Sequence, residues 1–199
     1  EGEQPRGGGT AIAEASGPGH GQQPCGASST TAVADLLTDL TTDGATDVIS
    51  ITVSDTSADA ADVNAINALT AAAAADVDFT AVTEITGSAD AIKTAMAANG
   101  ASLTLNGTYD IVASGDTSVA DINLIVGLAN GAGATTGTIT ASAVSNDASV
   151  LAGLTTTDAR GDVIAITITG SATGSELNTI SGATTSEVAA TGVTAVTGT

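Results

Sequence analysis

The chain has 199 residues, enough for one domain with a sizeable core, but only 1% of them are aromatic, and Ala, Thr, Gly, Ser and Asp dominate. Such small side chains suit thin, regular layers better than a wide core, because aromatic residues bring the largest apolar areas. The 22 acidic and 3 basic residues give a formal net charge of −19. This balance excludes nucleic acid and anionic membrane surfaces as partners, since both need clustered Lys and Arg. No apolar run approaches the length of about 18 residues that would predict membrane insertion.

Residues 1–30 differ from the rest because they show neither helical nor strand periodicity. Glycine and proline recur there, as in Gly17-Pro18-Gly19, so we predict an extended or flexible N-terminal arm. The arm contains His20 and Cys25, the single His and single Cys of the sequence, and a lone cysteine forms no intrachain disulfide. A first residue Glu1, with no signal peptide, indicates a processed or excerpted piece of a longer precursor.

Residues 31–199 repeat a short pattern in which an acidic or polar anchor is followed by apolar residues. The anchors stand 27, 28, 31, 28 and 27 residues apart, a period typical of a solenoid. They are Asp35, Asp62, Asp90, Asp121, Ser149 and Glu176.

A helix is predicted around each anchor, because five of the six residues that stand three positions earlier are preferred N-caps. These six are Ala32, Asp59, Gly87, Ser118, Asn146 and Thr173. The pair Thr173 and Glu176 has the spacing of a capping box, and Ser118 with Asp121 approximates it. Apolar residues follow at helical spacing, so we expect short helices that begin near residues 60, 88, 119 and 174.

Between the predicted helices the apolar period changes to two, which predicts half-buried strands. Examples are Ile49, Ile51 and Val53, then Ile139, Ala141 and Ala143, then Ile164, Ile166 and Ile168. The predicted fold is an α/β repeat solenoid of about six stacked strand–turn–short-helix units of 27–31 residues. Its strands would pair in parallel, at the usual separation of about 4.8 Å. The alternative is an all-β solenoid in which the capped segments are only turns.

Aspartates in the predicted turns are candidate metal ligands. Calcium takes six to eight oxygens, and Gly-rich turns can supply some of them from backbone carbonyls, so calcium is the one cofactor that these turns suggest. The alternative is that the turns are merely solvated, because neither an EF-hand loop nor the calcium-binding nonapeptide is present. The anchors themselves need no metal, since a carboxylate in the first turn of a helix complements the helix dipole. The candidates are Asp43, Asp47, Asp55, Asp59, Asp76, Asp78, Asp110, Asp116, Asp158 and Asp162.

Catalysis finds no support in the sequence, and we predict that the chain is not an enzyme. No nucleophile elbow, zinc-protease motif, P-loop or dinucleotide fingerprint occurs, and His20 has no identifiable catalytic partner. The segment Asn106-Gly107-Thr108 fits the N-glycosylation pattern, so glycans are conceivable partners.

The repeated phrases resemble those of very large secreted and cell-surface proteins of bacteria, cyanobacteria especially. They read ITVSDTSADAADVNAINAL, YDIVASGDTSVADINLI and ITITGSATGSELNTI, and the composition is similar to that of S-layer proteins and giant adhesins. The resemblance covers residues 31–199 and implies an extracellular or cell-surface location. We therefore expect a structural subunit of a filament, sheath or surface layer that self-assembles head to tail. A calcium-stabilised spacer or adhesin module that binds a surface or glycan is the first alternative, and an ice-binding solenoid is the second.

Overall fold

The computed structural model describes residues 29–31, 50–69, 77–131, 137–143 and 145–198, and the fold within them is mixed α/β with parallel sheets. The predicted arm, residues 1–30, therefore lies almost entirely outside the described residues. Five α-helices occur in the described ranges, and the capped segments are helical, so the all-β alternative is wrong. The helices are α1 (Ala60–Ala68), α2 (Ala89–Ala98), α3 (Val119–Gly131), α4 (Ala148–Leu151) and α5 (Gly174–Ser181).

The helices begin at, or within one residue of, the predicted positions 60, 88, 119 and 174. Two predicted caps are wrong by one residue: Ser88 rather than Gly87 caps α2, and Asp147 rather than Asn146 caps α4. Gly87 lies at the end of the preceding strand with a φ of 135°, a conformation that suits glycine. The hydroxyl of the next residue, Ser88, therefore caps the helix. Thr173 and Glu176 form the complete capping box that their spacing predicts.

Three parallel sheets account for the strands of the described ranges. The first has the order β1-β2-β4-β6, the second β3-β5-β7-β8-β9 and the third β10-β11. The strands are β1 (Ser29–Thr31), β2 (Ile51–Val53), β3 (Ser57–Asp59), β4 (Val77–Phe79), β5 (Glu84–Gly87), β6 (Leu103–Leu105), β7 (Asp110–Thr117), β8 (Ile139–Ala143), β9 (Val163–Ala165), β10 (Thr167–Thr173) and β11 (Ala189–Thr197).

The strand register places like residues on like residues. In the first sheet Ile51 lies beside Val77, which lies beside Leu103. In the second sheet Ile85 lies beside Ile111, which lies beside Ile139 in turn. All six side chains are at most 2% exposed, so each row of apolar residues forms one layer of the core. Because the chain has few aromatic residues, the Ile, Val and Leu side chains of these strands supply most of the apolar area of the core.

Two strands, rather than the single one expected, separate consecutive helices in the first half of the structure. β4 and β5 precede α2, but they belong to different sheets because a tight turn redirects the chain between them. In that turn the backbone N–H of Val82 donates to the Phe79 carbonyl over 2.9 Å. The Asp78 carboxylate accepts from the Thr80 N–H over 2.8 Å. Strands of three and four residues are too short to display a period, so the irregular sequence over residues 79–85 concealed the turn.

Candidate interaction surface

The helix caps set the position of every side chain that follows on each helix. The caps are Asp59, Ser88, Ser118, Asp147 and Thr173, each with a side-chain oxygen that accepts from a backbone N–H of the first turn. The acidic anchors lie in those first turns, as with Asp62 in α1 and Glu176 in α5, where they complement the helix dipole. Of the anchors, Asp35 lies outside the described residues.

The fifth residue after the cap connects one helix to the next strand–helix segment. In α1 this residue is Asn64, whose side-chain amide donates to the Ala91 carbonyl in α2 over 3.0 Å. In α3 it is Asn123, whose amide nitrogen donates to the Gly153 carbonyl over 2.7 Å. The amide oxygen of Asn123 also accepts from the backbone N–H of Thr155 over 2.8 Å. These bonds tie neighbouring segments together, and each is expected to stabilise the fold by about 1 kcal/mol.

Lys93 is the fifth residue after the cap of α2, and it provides the same connection with a charge. Its ammonium group lies 2.5 Å from the Asp121 carboxylate of α3 and 2.8 Å from Asp90 of its own helix. The pKa of Lys93 is raised, first because it donates to Asp121 and then because it donates to Asp90. The pKa of Asp121 is lowered by the bond from Lys93 and by a second bond from the Ser118 hydroxyl. Both shifts favour the charged forms, so the bridge persists at neutral pH.

Asn178 is the fifth residue after the cap of α5, and it differs from its counterparts because its side chain is exposed to solvent. The side chains of Asn64, Lys93 and Asn123 are half-buried, whereas Asn178 is exposed. No group in the described part of the chain bonds to its side-chain amide. The corresponding residue after the cap of α4 is Ala152, which carries no polar group, so α4 and α5 lack this type of connection.

β11 is the second unusual feature at this end of the structure. Its only partner among the described strands is β10, and none of its nine residues is buried. Val196 lies beside Ala172 in the register, and although Ala172 is 2% exposed, Val196 is 62% exposed. No charged residue follows Glu187 in the sequence. Within the described residues, α5 and β11 together therefore present a strand edge without a second partner, an exposed apolar side chain and a solvent-exposed amide, and we call them the α5–β11 face.

The predicted cation ligands are mostly engaged with donors of the protein itself. Asp59 caps α1, Asp78 closes the β4–β5 turn, and Asp110 accepts from the N–H of Thr138 over 2.7 Å. Asp116 is within 3.5 Å of the Ser142 hydroxyl. In the described part of the chain no group of three or more His, Cys, Asp or Glu side chains is arranged to hold a metal ion.

For the other five predicted ligands the structure gives less information about metal binding. Asp55 is half-buried and has a bonded partner. Asp158 lies in a short 3₁₀ helix, Asp158–Arg160, and its side chain is outside the described atoms. Asp43, Asp47 and Asp76 lie outside the described residues. The calcium site therefore stays a prediction.

Asp162, another predicted ligand, is fully buried and acts as a structural acceptor. Arg160 donates to its carboxylate from Nε over 2.9 Å and from Nη2 over 2.6 Å. The backbone N–H groups of Ile139 and Thr157 donate to the same carboxylate over 3.0 and 2.8 Å. Its own carbonyl oxygen accepts from the Thr185 N–H over 2.8 Å. Asp162 thus joins β8, the 3₁₀ segment and the chain before β11, and its oxygens are already occupied by donors.

The glycosylation motif is also part of the bonding between segments. The side-chain nitrogen of Asn106, which would carry the sugar, donates to the Thr80 carbonyl over 2.6 Å. Its side-chain oxygen accepts from the Thr108 N–H over 2.9 Å. A glycan would replace one of the two hydrogens on this nitrogen while the other bonds to Thr80, and the glycan partner stays a prediction.

Comparison with known proteins adds no relative to this description: no family model, curated protein or solved structure matches the chain. In the described ranges, no helix has the length and apolarity needed to cross a membrane.

Proposed function

We propose that the chain is a non-catalytic structural subunit of an extracellular filament, sheath or surface layer. Its strand–helix units stack as a solenoid and assemble head to tail. One observation carries the proposal: neighbouring segments meet through parallel strands and through a bond from the same helix position, and the α5–β11 face leaves both kinds of contact open. An open strand edge favours the addition of another strand.

The regular offset of the contacts supports a solenoid. Several side-chain bonds between segments join residues 26, 27 and 28 positions apart, close to the predicted unit length, and those of Asn123 span 30 and 32 positions. Towards the C-terminal part the offsets shorten to 23 and 24, as between Asp162 and Ile139 and between Thr194 and Gly170. Parallel pairing holds for every strand pair in the described ranges, as expected when each strand is followed by a connection that returns to the same end of the sheet. Quasi-one-dimensional stacks of this kind serve as extended building material, because each unit contacts only its neighbours.

The bonding pattern also favours a structural role over a catalytic one. The described basic side chains, Lys93 and Arg160, are both committed to carboxylates, and the Asn64 and Asn123 amides are committed to backbone groups. These side chains act as connections within the protein, and their polar groups are already paired there. The resemblance to bacterial surface proteins supports the extracellular location.

Electron microscopy and light scattering on the purified chain test the proposal. We expect filaments or sheets, with scattering that grows with protein concentration, because a head-to-tail contact does not close on itself. A chain that stays monomeric at concentrations of about 1 mM, the affinity range of the weakest specific contacts, would contradict the proposed assembly.

The calcium-stabilised module is tested separately by unfolding in the presence of calcium and of a chelator at matched ionic strength. We expect calcium to raise the unfolding midpoint if turn aspartates beyond those already bonded bind it. Equal midpoints would reject calcium stabilisation and leave the assembly proposal intact. For the ice-binding alternative an unbroken row of outward threonines is needed, whereas the register places Asp78 between Thr52 and Thr104.

A further inference from the structure

We propose that Asn106 is a site of spontaneous deamidation, at which the backbone nitrogen of Gly107 displaces the side-chain amide nitrogen as ammonia. Three asparagines of the sequence precede a glycine, namely Asn99, Asn106 and Asn130. Such pairs are the most susceptible to this reaction, because glycine has no side chain to shield its backbone nitrogen. The fold treats the three pairs differently, and at Asn106 it provides the arrangement that the reaction needs.

The reaction is a ring closure followed by hydrolysis. The Gly107 nitrogen loses its proton to water and attacks the side-chain carbon Cγ of Asn106, and the new C–N bond closes a succinimide ring. The bond between Cγ and Nδ2 breaks, and the departing nitrogen takes up a proton and leaves as ammonia. One water molecule then opens the ring at either carbonyl. The product is aspartate or isoaspartate, and no atom is oxidised or reduced.

The surroundings of Asn106 favour the attack. Gly107 is exposed, and its N–H donates to no acceptor in the described part of the chain. The Thr108 N–H donates to Oδ1 of Asn106 over 2.9 Å, and this bond folds the side chain back over the peptide group that joins Asn106 to Gly107. The same bond stabilises the negative charge that develops on Oδ1 during the attack. The bond from Nδ2 to the Thr80 carbonyl opposes the departure of ammonia, but it does not engage the attacking nitrogen.

The Asn99–Gly100 pair is protected by comparison. The N–H of Gly100 donates to the Leu103 carbonyl over 2.8 Å, so the attacking nitrogen is already bonded. The side-chain oxygen of Asn99 accepts from the Leu105 N–H over 3.0 Å, which ties the side chain to β6 rather than to its own following peptide. The third pair lies at the end of α3, where the backbone nitrogens belong to the helix hydrogen bonds.

Deamidation would weaken a connection between segments. The Nδ2 group of Asn106 donates to the Thr80 carbonyl in the β4–β5 turn, whereas a carboxylate has no hydrogen to donate and would place an oxygen against that carbonyl. Isoaspartate would also lengthen the main chain between β6 and β7, which belong to different sheets. Loss of the bond should shift the folding equilibrium about fivefold towards the unfolded state, the effect of one hydrogen bond.

Peptide mapping by mass spectrometry tests the site after incubation of the full chain at mildly alkaline pH. In the folded chain we expect Asn106 to react about tenfold faster than Asn99, because the Gly100 nitrogen must first give up its hydrogen bond. In urea the two pairs should react at similar rates, since the surroundings that distinguish them are lost. Equal rates in the folded chain, or a faster reaction at Asn99, would overturn the proposal.

Three variants separate the reaction from its consequence. Gly107→Ala, whose Cβ meets nothing within 4 Å, should slow the reaction of Asn106 about tenfold by shielding the nitrogen and leave that of Asn99 unchanged. An unchanged rate at Asn106 would refute the ring closure. Asn106→Asp should show the fivefold loss in urea unfolding. Asn99→Asp is its control, because it adds the same charge and keeps the oxygen that Leu105 uses, so its effect should stay below about twofold. Equal stability of these two variants would refute the weakened connection.

Discussion

Removal of the Asp162 carboxylate should be among the most damaging single changes in the described core. Asp162→Ala leaves the Arg160 guanidinium, which is 14% exposed, without its carboxylate. It also leaves the N–H groups of Ile139 and Thr157 without their acceptor. Loss of one partner of a buried ion pair costs about 3–5 kcal/mol, because the remaining charge stays buried and uncompensated. We therefore expect a loss of about 4 kcal/mol in the free energy of unfolding.

Removal of the Arg160 side chain should lower the free energy of unfolding by a smaller amount. In Arg160→Ala the carboxylate keeps its two backbone donors, so we expect about half the loss, near 2 kcal/mol. Asp116→Ala is the matched control, since Asp116 is exposed and its one bond, to Ser142, is 3.5 Å long. A surface change of this kind should stay within about 0.5 kcal/mol.

Urea unfolding, followed by circular dichroism at monomeric concentrations, measures all three variants. For a denaturant slope of about 2 kcal/mol per molar, Asp162→Ala should lower the midpoint by about 2 M at an unchanged slope. The reasoning is refuted if Asp162→Ala costs less than Arg160→Ala, or if it behaves like the Asp116→Ala control. Either result would mean that the carboxylate is not the centre of this cluster.

Three further predictions concern backbone packing and pH. Gly137→Ala should cost about 2–3 kcal/mol in the same urea assay, because a Cβ there would overlap the Tyr109 carbonyl oxygen, whereas Gly107→Ala, with nothing within 4 Å, should be nearly neutral. Burial raises the pKa of Tyr109 from 10.0 to about 12, so its stabilising contribution is complete below pH 10 and is lost as the pH rises towards 12. Phenolate absorbance should therefore appear only near pH 12 and together with unfolding. A titration near pH 10 in the folded chain would contradict the burial of Tyr109. The signal is unambiguous because the chain has a single tyrosine and no tryptophan. The pKa of Asp121 lies below its ordinary value of 3.8 because of Lys93, so its contribution is present above about pH 4 and is lost as the pH falls through the lowered pKa. Asp121→Asn should accordingly show a shallower acid loss of stability than the unmodified chain, and parallel acid curves would show that the bridge contributes nothing.

The helices were predictable because their signals are local. A cap, an acid in the first turn and apolar residues at helical spacing all fall within one short stretch of sequence, as from Thr173 to Ile180. The caps at Ser88 and Asp147 were missed by one residue because a fixed offset from the anchor was assumed. Asp90 is the second residue of its helix, whereas Asp62 is the third, so the offset is not constant.

The connections between segments were harder to predict because they depend on distant partners. Asparagine recurs two positions after the anchors Asp62, Asp121 and Glu176, a signal that was present in the sequence. Its meaning is visible only once the next segment is in place, with the Gly153 carbonyl beside Asn123. The one-residue shift of Asp90 also concealed that Lys93 occupies the same position.

Asp162 illustrates the limit for charged residues. In sequence it is one of several aspartates in Gly-rich turns, and its proximity to Arg160 is equally compatible with a solvated turn. Its carboxylate accepts from the N–H of Ile139, 23 residues away, and its carbonyl oxygen accepts from the Thr185 hydroxyl. These distant segments cover Asp162 and exclude water from it. Burial of a carboxylate requires that every acceptor position be filled, and only the tertiary structure supplies those donors.

The distribution of charge explains how so acidic a chain can bring its helices and parallel strands together. The two described basic side chains each lie between segments or beside a buried acid, where they offset like-charge repulsion at close range. The other connections use neutral amides and backbone groups, whose energies do not depend on net charge. The repulsion between the remaining exposed carboxylates is screened by salt over about 8–10 Å. In β11, which carries no charge, the contact with β10 consists of backbone pairing and neutral side chains alone, so it does not depend on the net charge of the chain.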